Sequence, residues 1–170
     1  MKLYKTVLII FFFFNLNIAH SNESIYFIDL DKLVKNSNLG KKTLAKIENL
    51  NKKNIENLKI KNNELKKREN EIKTKQNVVS KEELDKEINI LRNKINEFKI
   101  IKDQMVLDFE KKKNENMNNL FLTFNPIIQD YMKKNSIDIL LESKNVFIGK
   151  NNLDITNDII KEVNVKFKNE

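Results

Sequence analysis

The feature that most constrains the fold of this chain is a long stretch with almost no helix-breaking residues. Between residues 36 and 134 the sequence holds a single glycine, Gly40, and a single proline, Pro126. Lys, Glu, Asn, Leu and Ile make up most of the rest. Since glycine and proline are the residues least compatible with a helix interior, this composition predicts long helices with charged surfaces.

Apolar residues in this stretch recur at alternating steps of four and three, which is the spacing of a coiled-coil seam. The stripe they form is narrow and flanked by charge. Each helix is therefore expected to pack against one other helix rather than inside a wide core. The predicted seam comprises Leu58, Leu65, Ile72, Leu84, Ile88, Leu91, Ile95 and Phe98.

A helix boundary is predicted near the middle of the stretch. Ser80-Lys-Glu-Glu83 is a capping-box pattern, which marks the first turn of a helix. The four residues before it, Gln-Asn-Val-Val, are poor helix formers. We therefore expect an antiparallel helical hairpin over residues 39–122, with its tip near residues 76–80. One continuous rod is the alternative, because neither glycine nor proline lies at the tip.

The first residues have the three parts of a secretory signal peptide. A basic head, Met1–Lys5, precedes the apolar run Val7–Phe14, and Ala19–Ser21 offers small residues for cleavage. The apolar run is shorter than the roughly 20 residues that span a bilayer. The sequence thus predicts that residues 1–21 are removed on export, with an uncleaved signal anchor as the alternative.

The composition of the mature chain argues against an enzyme. The only histidine, His20, lies in the signal peptide, and the chain contains no cysteine or tryptophan. The mature chain thus lacks the usual general base near neutral pH, a thiol nucleophile and the soft metal ligands. No acidic cluster has the spacing of a cation-binding loop. We expect no catalytic residue, no cofactor and no metal site.

Short β-segments flank the hairpin. Ser24–Leu30 has the composition of a strand buried on both faces, with a buried helical turn as the alternative. Ile137–Leu141 and Val146–Ile148 are predicted to form two strands of a β-hairpin. Thr156 is expected to cap a final helix, and Pro126 to kink the preceding long helix.

These segments predict an α+β fold in which a small β-sheet body carries the helical arm. The body combines residues 22–38 with residues 123–164, and residues 165–170 form a tail. A body this small cannot bury a generous core alone, so its apolar strand residues need cover from other subunits. The predicted core of the body and oligomer is Ile25, Phe27, Ile139, Leu141, Val146 and Ile148.

Charge is unevenly distributed along the hairpin. From Lys41 to Lys75 there are twelve basic and five acidic residues, whereas Lys81 to Glu115 contains nine of each. The first helix is therefore basic, which attracts acidic partners or surfaces. An ordinary solvated face of a lysine-rich helix would show the same pattern. The candidate partner-contact residues near the tip are Lys66, Lys67, Arg68, Lys73 and Lys75.

The order of these segments resembles the Skp/OmpH family of periplasmic chaperones from Gram-negative bacteria. The likeness covers about residues 24–164 and depends on the succession of several short motifs rather than on any one of them. Those motifs are Ile25–Asp29, Asn36–Lys42, Ser80–Glu83, Asn125–Ile128, Ile139–Leu141 with Val146–Ile148, and Asp154–Ile160.

The resemblance implies a periplasmic homotrimer with three hairpin arms around a cavity. Such proteins hold unfolded outer-membrane β-barrel proteins without ATP and keep them from aggregating. The basic charge predicts attraction to an anionic membrane surface, and the resemblance adds lipopolysaccharide as a further partner. An envelope adaptor that binds one defined partner is the alternative. A nucleic-acid partner is not expected for an exported chain with two arginines.

Mass spectrometry of the protein recovered from the envelope of an expressing Gram-negative host tests the signal peptide. We expect the chain to begin at Asn22, because small residues precede that position. As a control, Ala19→Arg should block cleavage, since the cleavage site accepts only small residues there. A wild-type mass that retains residues 1–21 would instead support the anchored form.

Overall fold

The computed structural model describes residues 24–168 and has an α+β fold. The predicted signal peptide and the last two residues of the predicted tail lie outside the described residues. The fold class predicted from the sequence, a small sheet body with a long helical hairpin, is confirmed. The elements are β1 (Ile25–Ile28), α1 (Leu30–Asn36), α2 (Asn38–Lys75), α3 (Lys81–Lys134), β2 (Ile139–Glu142) and α4 (Thr156–Lys166).

The two long helices fold back on each other as a hairpin, so the continuous rod is excluded. Helix α2 has 38 residues and α3 has 54, which gives α2 a length of roughly 57 Å at about 1.5 Å per residue. The Ser80 hydroxyl oxygen caps α3 by accepting a hydrogen bond from the Glu83 N–H at 3.2 Å. This cap confirms the helix start predicted from the sequence. Pro126 lies inside α3 and does not end it.

The arm begins at a tight corner between α1 and α2. The buried Ser37 ends α1 by donating its N–H to the Leu33 carbonyl at 3.0 Å. Its hydroxyl oxygen starts α2 by accepting the Gly40 N–H at 3.2 Å. A Cβ added to Gly40 would lie 1.9 Å from the Val34 carbonyl oxygen. The corner therefore requires a residue without a side chain at this position.

The sheet joins the segments that precede and follow the helical hairpin. Strands β1 and β2 pair in parallel, with Ile25 opposite Ile139. Beside them the buried Thr156 hydroxyl accepts the Asp29 N–H at 2.9 Å and donates to the Asp154 carboxylate. These bonds fasten the start of α4 to the end of β1.

The core lies between α1, the body end of α3 and α4. The largest fully buried apolar side chains there are Phe124, Leu33, Ile159 and Val163, each 0% exposed. Strand β1 contributes Ile28 from its inward face. The core of a single chain is thus mainly helical, and the sheet covers one side of it.

Three local predictions for the body are wrong. Val146–Ile148 is not a strand, because a 3-10 turn at Ser143–Asn145 follows β2 and the next residues pair with nothing in the described sheet. Thr156 is the first residue of α4 rather than its cap. Its hydroxyl oxygen instead accepts a hydrogen bond from the Asp29 N–H. The predicted loose tail begins within α4, which continues to Lys166.

The first prediction from the fold concerns Gly40. Alanine in a helix is normally more favourable than glycine by roughly 0.5–1 kcal/mol, but here its methyl group would collide with the Val34 carbonyl. We expect Gly40→Ala to lower the free energy of unfolding by about 2 kcal/mol or more, measured by urea denaturation with circular dichroism. The exposed Asn51→Ala in the same helix serves as control and should be neutral or slightly stabilising. A Gly40→Ala protein as stable as the wild type would contradict the close corner.

The second prediction concerns Tyr131, which lies against α4 with its hydroxyl 3.5 Å from a carboxylate oxygen of Asp158. Burial, and then the negative charge of Asp158, raise the pKa of Tyr131 above its usual value of 10.0. The folded protein therefore favours the neutral phenol. The stabilisation that the neutral Tyr131 side chain contributes is complete below about pH 10. It is lost as pH rises through the raised pKa of Tyr131 in the folded protein.

Tyr131→Phe should consequently lose less stability than the wild type between pH 9 and pH 11. The measurement is the free energy of unfolding in urea at a series of pH values, compared between the two proteins at each pH. Lysine deprotonation affects both proteins alike and cancels in this comparison. Parallel stability curves for the two proteins would contradict the raised pKa.

Candidate functional site

The seam predicted from the sequence is unevenly buried in a single chain. Ile72 and Leu91 are buried, at 8% exposed each, and they lie near the tip. Ile88 and Ile95 remain 37% exposed. The half-buried members of the predicted seam are Leu58, Leu65, Leu84 and Phe98. The arm is thus held by a thin apolar contact, and most of its surface stays open to other molecules.

An ion pair joins the two arm helices close to the tip. The Arg68 guanidinium on α2 contacts the Glu87 carboxylate on α3 and also lies 3.4 Å from Glu71. The side chains of Arg68 and Glu87 are 35% and 27% exposed. Arg68, one of the candidate contact residues, is therefore partly engaged in holding the arm together.

The other candidate contact residues divide into two groups. Lys73 binds Glu69 at 2.7 Å within α2. This hydrogen bond, together with the charge of Lys73 and then that of Lys66, lowers the pKa of Glu69. Lys66, Lys67 and Lys75 are exposed and form no salt bridge with any residue in the range 24–168. Three exposed cations of the predicted set thus remain available on one helix.

A groove between α2 and α3 lies next to these lysines. It has a volume of about 520 Å³ and opens to solvent. Its apolar lining is Leu65, Phe98 and Ile101, and its charged lining is Lys61, Lys67, Arg68, Lys94, Glu64, Glu71 and Glu97. Such a mixed, open lining suits weak contact with many side chains rather than capture of one small molecule.

The arm also exposes apolar residues that the heptad analysis missed. Ile100 and Leu107 on α3 are 69% and 65% exposed. Ile100 is nine residues from the buried Leu91, which places it about half a turn round the helix from the seam. Leu107 is one heptad further along and shares that face. A search for apolar pairs out of phase with the seam would have found them.

The predicted core of the body and oligomer is largely exposed in one chain. Ile25 is 44% exposed, and Ile139 and Leu141 are 40% exposed each. Phe27 and Val146 are half-buried, and Ile148 is 83% exposed. Side chains alternate along a strand, so Ile25, Phe27, Ile139 and Leu141 share the outward face of the sheet. The inward face carries Tyr26, Ile28 and Leu140, which pack on the helical core.

Sequence reasoning missed the actual core residues on α1 and α4. Leu33 and Val34 follow Asp29, whose carboxylate caps α1 by accepting the Lys32 N–H at 2.8 Å. An Asp before an apolar pair at helical spacing was a usable signal for that short helix. Ile159 and Val163 are four residues apart and likewise share a helix face.

Metal and membrane sites were searched for in the same range of residues. From Ser24 to Lys168, no group of three or more Asp, Glu, His or Cys side chains has a geometry that could hold a metal ion. No helix in that range is both long and apolar enough to cross a membrane. The surfaces that stand out are therefore the basic arm, its exposed apolar pair and the outward face of the sheet.

Comparison with known proteins agrees with this architecture. Residues 24–163 match the family model described as outer membrane protein (OmpH-like). Among curated proteins, none matches this chain. A crystal structure from Caulobacter crescentus CB15, described as a candidate outer membrane chaperone (OmpH-like), has the same fold, with a TM-score of 0.80 and 16% sequence identity over 85% of this chain and 86% of that chain.

The family match extends over most of the sequence and includes the body as well as the arm. It confirms the resemblance noted from the order of the short motifs. OmpH-like proteins form a family of chaperones rather than of enzymes. This chain belongs to the OmpH-like outer membrane protein family.

Proposed function

We propose that this protein is a periplasmic holdase, which binds unfolded outer-membrane β-barrel proteins without ATP and prevents their aggregation. The observation that carries the proposal is the arm, a long two-helix hairpin that combines a narrow seam with exposed cations and exposed apolar side chains. Membership of the OmpH-like family supports both the chaperone role and the periplasmic location.

Electrostatic attraction would bring a client to the basic helix. Helix α2 holds a surplus of seven positive charges between Lys41 and Lys75. Lys66, Lys67 and Lys75 lie near the tip, are exposed and form no salt bridge within the described range, so their ammonium groups are accessible to a client. Because screening limits such attraction to about 8–10 Å at physiological salt, the tip would act on client segments that already pass between the arms.

Apolar contact would then hold the client weakly. Ile100 and Leu107 present two aliphatic side chains near the middle of the arm. Burying one such side chain contributes about 1.5–3 kcal/mol at most, which permits binding without fixing a structure. Many weak contacts of this kind suit an unfolded chain better than a folded one.

We further propose that the protein is a homotrimer. The outward face of the sheet leaves three aliphatic side chains of the predicted oligomer core about two-fifths exposed, namely Ile25, Ile139 and Leu141. A body this small gains most of its missing apolar burial from association. Three bodies joined through this face would hold three arms around a shared space.

An aggregation assay tests the holdase. A β-barrel precursor diluted from urea should stay soluble in the presence of the mature protein and without nucleotide. Lys66→Glu/Lys67→Glu/Lys75→Glu should weaken this protection by about tenfold, since exposed charge contacts contribute roughly 0.2–1 kcal/mol each. Protection by the wild type should fall as salt rises.

The matched control carries the same change in net charge on the neutral helix. Lys81→Glu/Lys86→Glu/Lys99→Glu alters three exposed lysines of α3 and should reduce protection much less. Equal loss in both variants would show that net charge matters and that the location on α2 does not. A wild-type protein that protects no unfolded client yet binds one folded envelope protein would favour the adaptor function instead.

A further inference from the structure

The last helix reaches back to the start of the arm. The Asn164 Oδ1 on α4 accepts the N–H of Asn38, the first residue of α2, at 2.7 Å. The first N–H groups of a helix have no partner within that helix, and the oxygen that caps them usually belongs to the residue just before it. Here a residue 126 positions after Asn38 supplies one of these caps. The start of the arm is therefore bonded directly to the final helix.

A second cap at the same helix start is local. The Ser37 hydroxyl and carbonyl oxygens accept the N–H groups of Gly40 and Lys41 at 3.2 and 2.9 Å. These bonds join neighbours in the sequence, so they persist whichever way α2 points. The Asn164 bond differs, because it can form only while the first turn of α2 lies against α4. It therefore ties the position of the arm to that of the body.

Helix α4 is well fixed in the body. Ile159 and Val163 are fully buried in the core, and Asn164 directly follows Val163. Near the start of the same helix, Asp158 lies 3.5 Å from the Tyr131 hydroxyl of α3. Asp158 and Asn164 are six residues apart, which is about 9 Å along a helix. One well-packed helix thus contacts the body ends of both long helices.

Apolar packing between the arm helices is thin in the part of the arm nearest the body. A groove of about 670 Å³ lies between α2 and α3 there, and its apolar lining is Ala45 and Leu50. Lysines line both of its sides, namely Lys46 and Lys53 on α2 and Lys112 on α3. Like charges repel one another across such a groove. The position of the base of α2 therefore depends on its contacts with the body.

We propose that Asn164 is a positioning residue, which holds the base of α2 against the body and so sets the spacing of the two arm helices at their base. The inference goes beyond the proposed function, because it concerns a single chain and requires no client. The bond between Asn38 and Asn164 is exposed, so water can replace it when it opens. Loss of this bond should let the start of α2 move away from α3 and α4, while the core around Phe124 stays packed.

Leu39 is the competing anchor, since it packs partly buried against the core. An apolar contact of this kind is not directional, so it keeps α2 near the body without fixing the angle at which the helix leaves. A hydrogen bond, by contrast, weakens steeply when its geometry is lost. The Asn164 bond therefore accounts for a defined position as well as for proximity.

Hydrogen exchange measured by NMR tests the bond itself. The Asn38 N–H of the mature wild-type protein should be protected. Asn164→Ala should speed its exchange by about tenfold, because one net hydrogen bond changes an opening equilibrium by about that factor. Asn164→Asp keeps the acceptor oxygen and adds a negative charge that favours a helix start, so it should restore protection. The matched control Asn157→Ala changes an exposed asparagine of the same helix and should exchange like the wild type.

Spin-label distances test the positioning, and the natural chain contains no cysteine to interfere. Labels are attached at Asn51→Cys on α2 and Asn114→Cys on α3, both exposed. The labelled chain is refolded with an excess of unlabelled chain, so that distances within one chain dominate. The parent protein and Asn164→Asp should give one narrow distribution. Asn164→Ala should broaden it towards longer distances at low salt and narrow it again at high salt, because salt screens the repulsion between the lysines.

The outcomes decide between the two anchors. Faster exchange of the Asn38 N–H with an unchanged distance distribution would overturn the positioning role and leave Leu39 as the anchor. An unprotected Asn38 N–H in the wild type would overturn the bond, whether or not Asn164→Ala folds. A broadened distribution that Asn164→Asp does not restore would show that the Asn164 amide acts by packing, which also overturns the proposal. No client takes part in these measurements, so the proposed function and this inference can fail independently.

Discussion

The structure depends on the core that the body end of α3 shares with α1 and α4. Phe124 is fully buried there, with Leu120 and Ile127 about one turn to either side, and these residues belong to one cluster with the buried side chains of the two short helices. This contact returns the second arm helix to the place where the first one starts. Without this packing, β1 and β2 would not be brought together, and the hairpin would not be anchored in a body.

The arm is held together by much less buried apolar surface than the body. Its seam buries only Ile72 and Leu91 among the predicted positions, and the inter-helix ion pair of Arg68 with Glu87 is partly exposed. Partly exposed ion pairs contribute little to stability. The arm therefore remains a helix pair with modest cohesion and a largely exposed surface. The body, by contrast, is packed around the fully buried Phe124.

The sequence predicted the parts of the fold that local chemistry decides. The heptads indicated long paired helices, and Ser80 with Glu83 located the start of α3, because spacing and capping act within a few residues. The strand Ile25–Ile28 and the first strand after the arm were also found. The order of the short motifs was enough to indicate the family.

The parts of the fold that the sequence did not predict depend on contacts between residues far apart in the chain. Hydrophobic periodicity does not reveal such contacts. Val146–Ile148 has strand composition, yet no partner strand within the described chain pairs with it. Thr156 has the right type for a cap, but its hydroxyl bonds to Asp29, 127 positions earlier. The candidate contact residues were identified from charge alone. The pairing of Arg68 with Glu87 joins two helices and is not visible in the spacing, whereas Lys73 with Glu69 is an i,i+4 pair that the spacing does indicate.

The parallel pairing of β1 with β2 also governs when this protein can finish folding. Ser24 donates its N–H to the Asp138 carboxylate at 2.8 Å across 114 positions of sequence, so the two strands are nearly at opposite ends of the chain. In a chain that is made from its amino terminus, β1 is present long before β2. The intervening helices can form and pair in the meantime, which shortens the effective loop that must close. The sheet of the body can therefore form only after the chain has extended through β2, while the arm helices can already be paired.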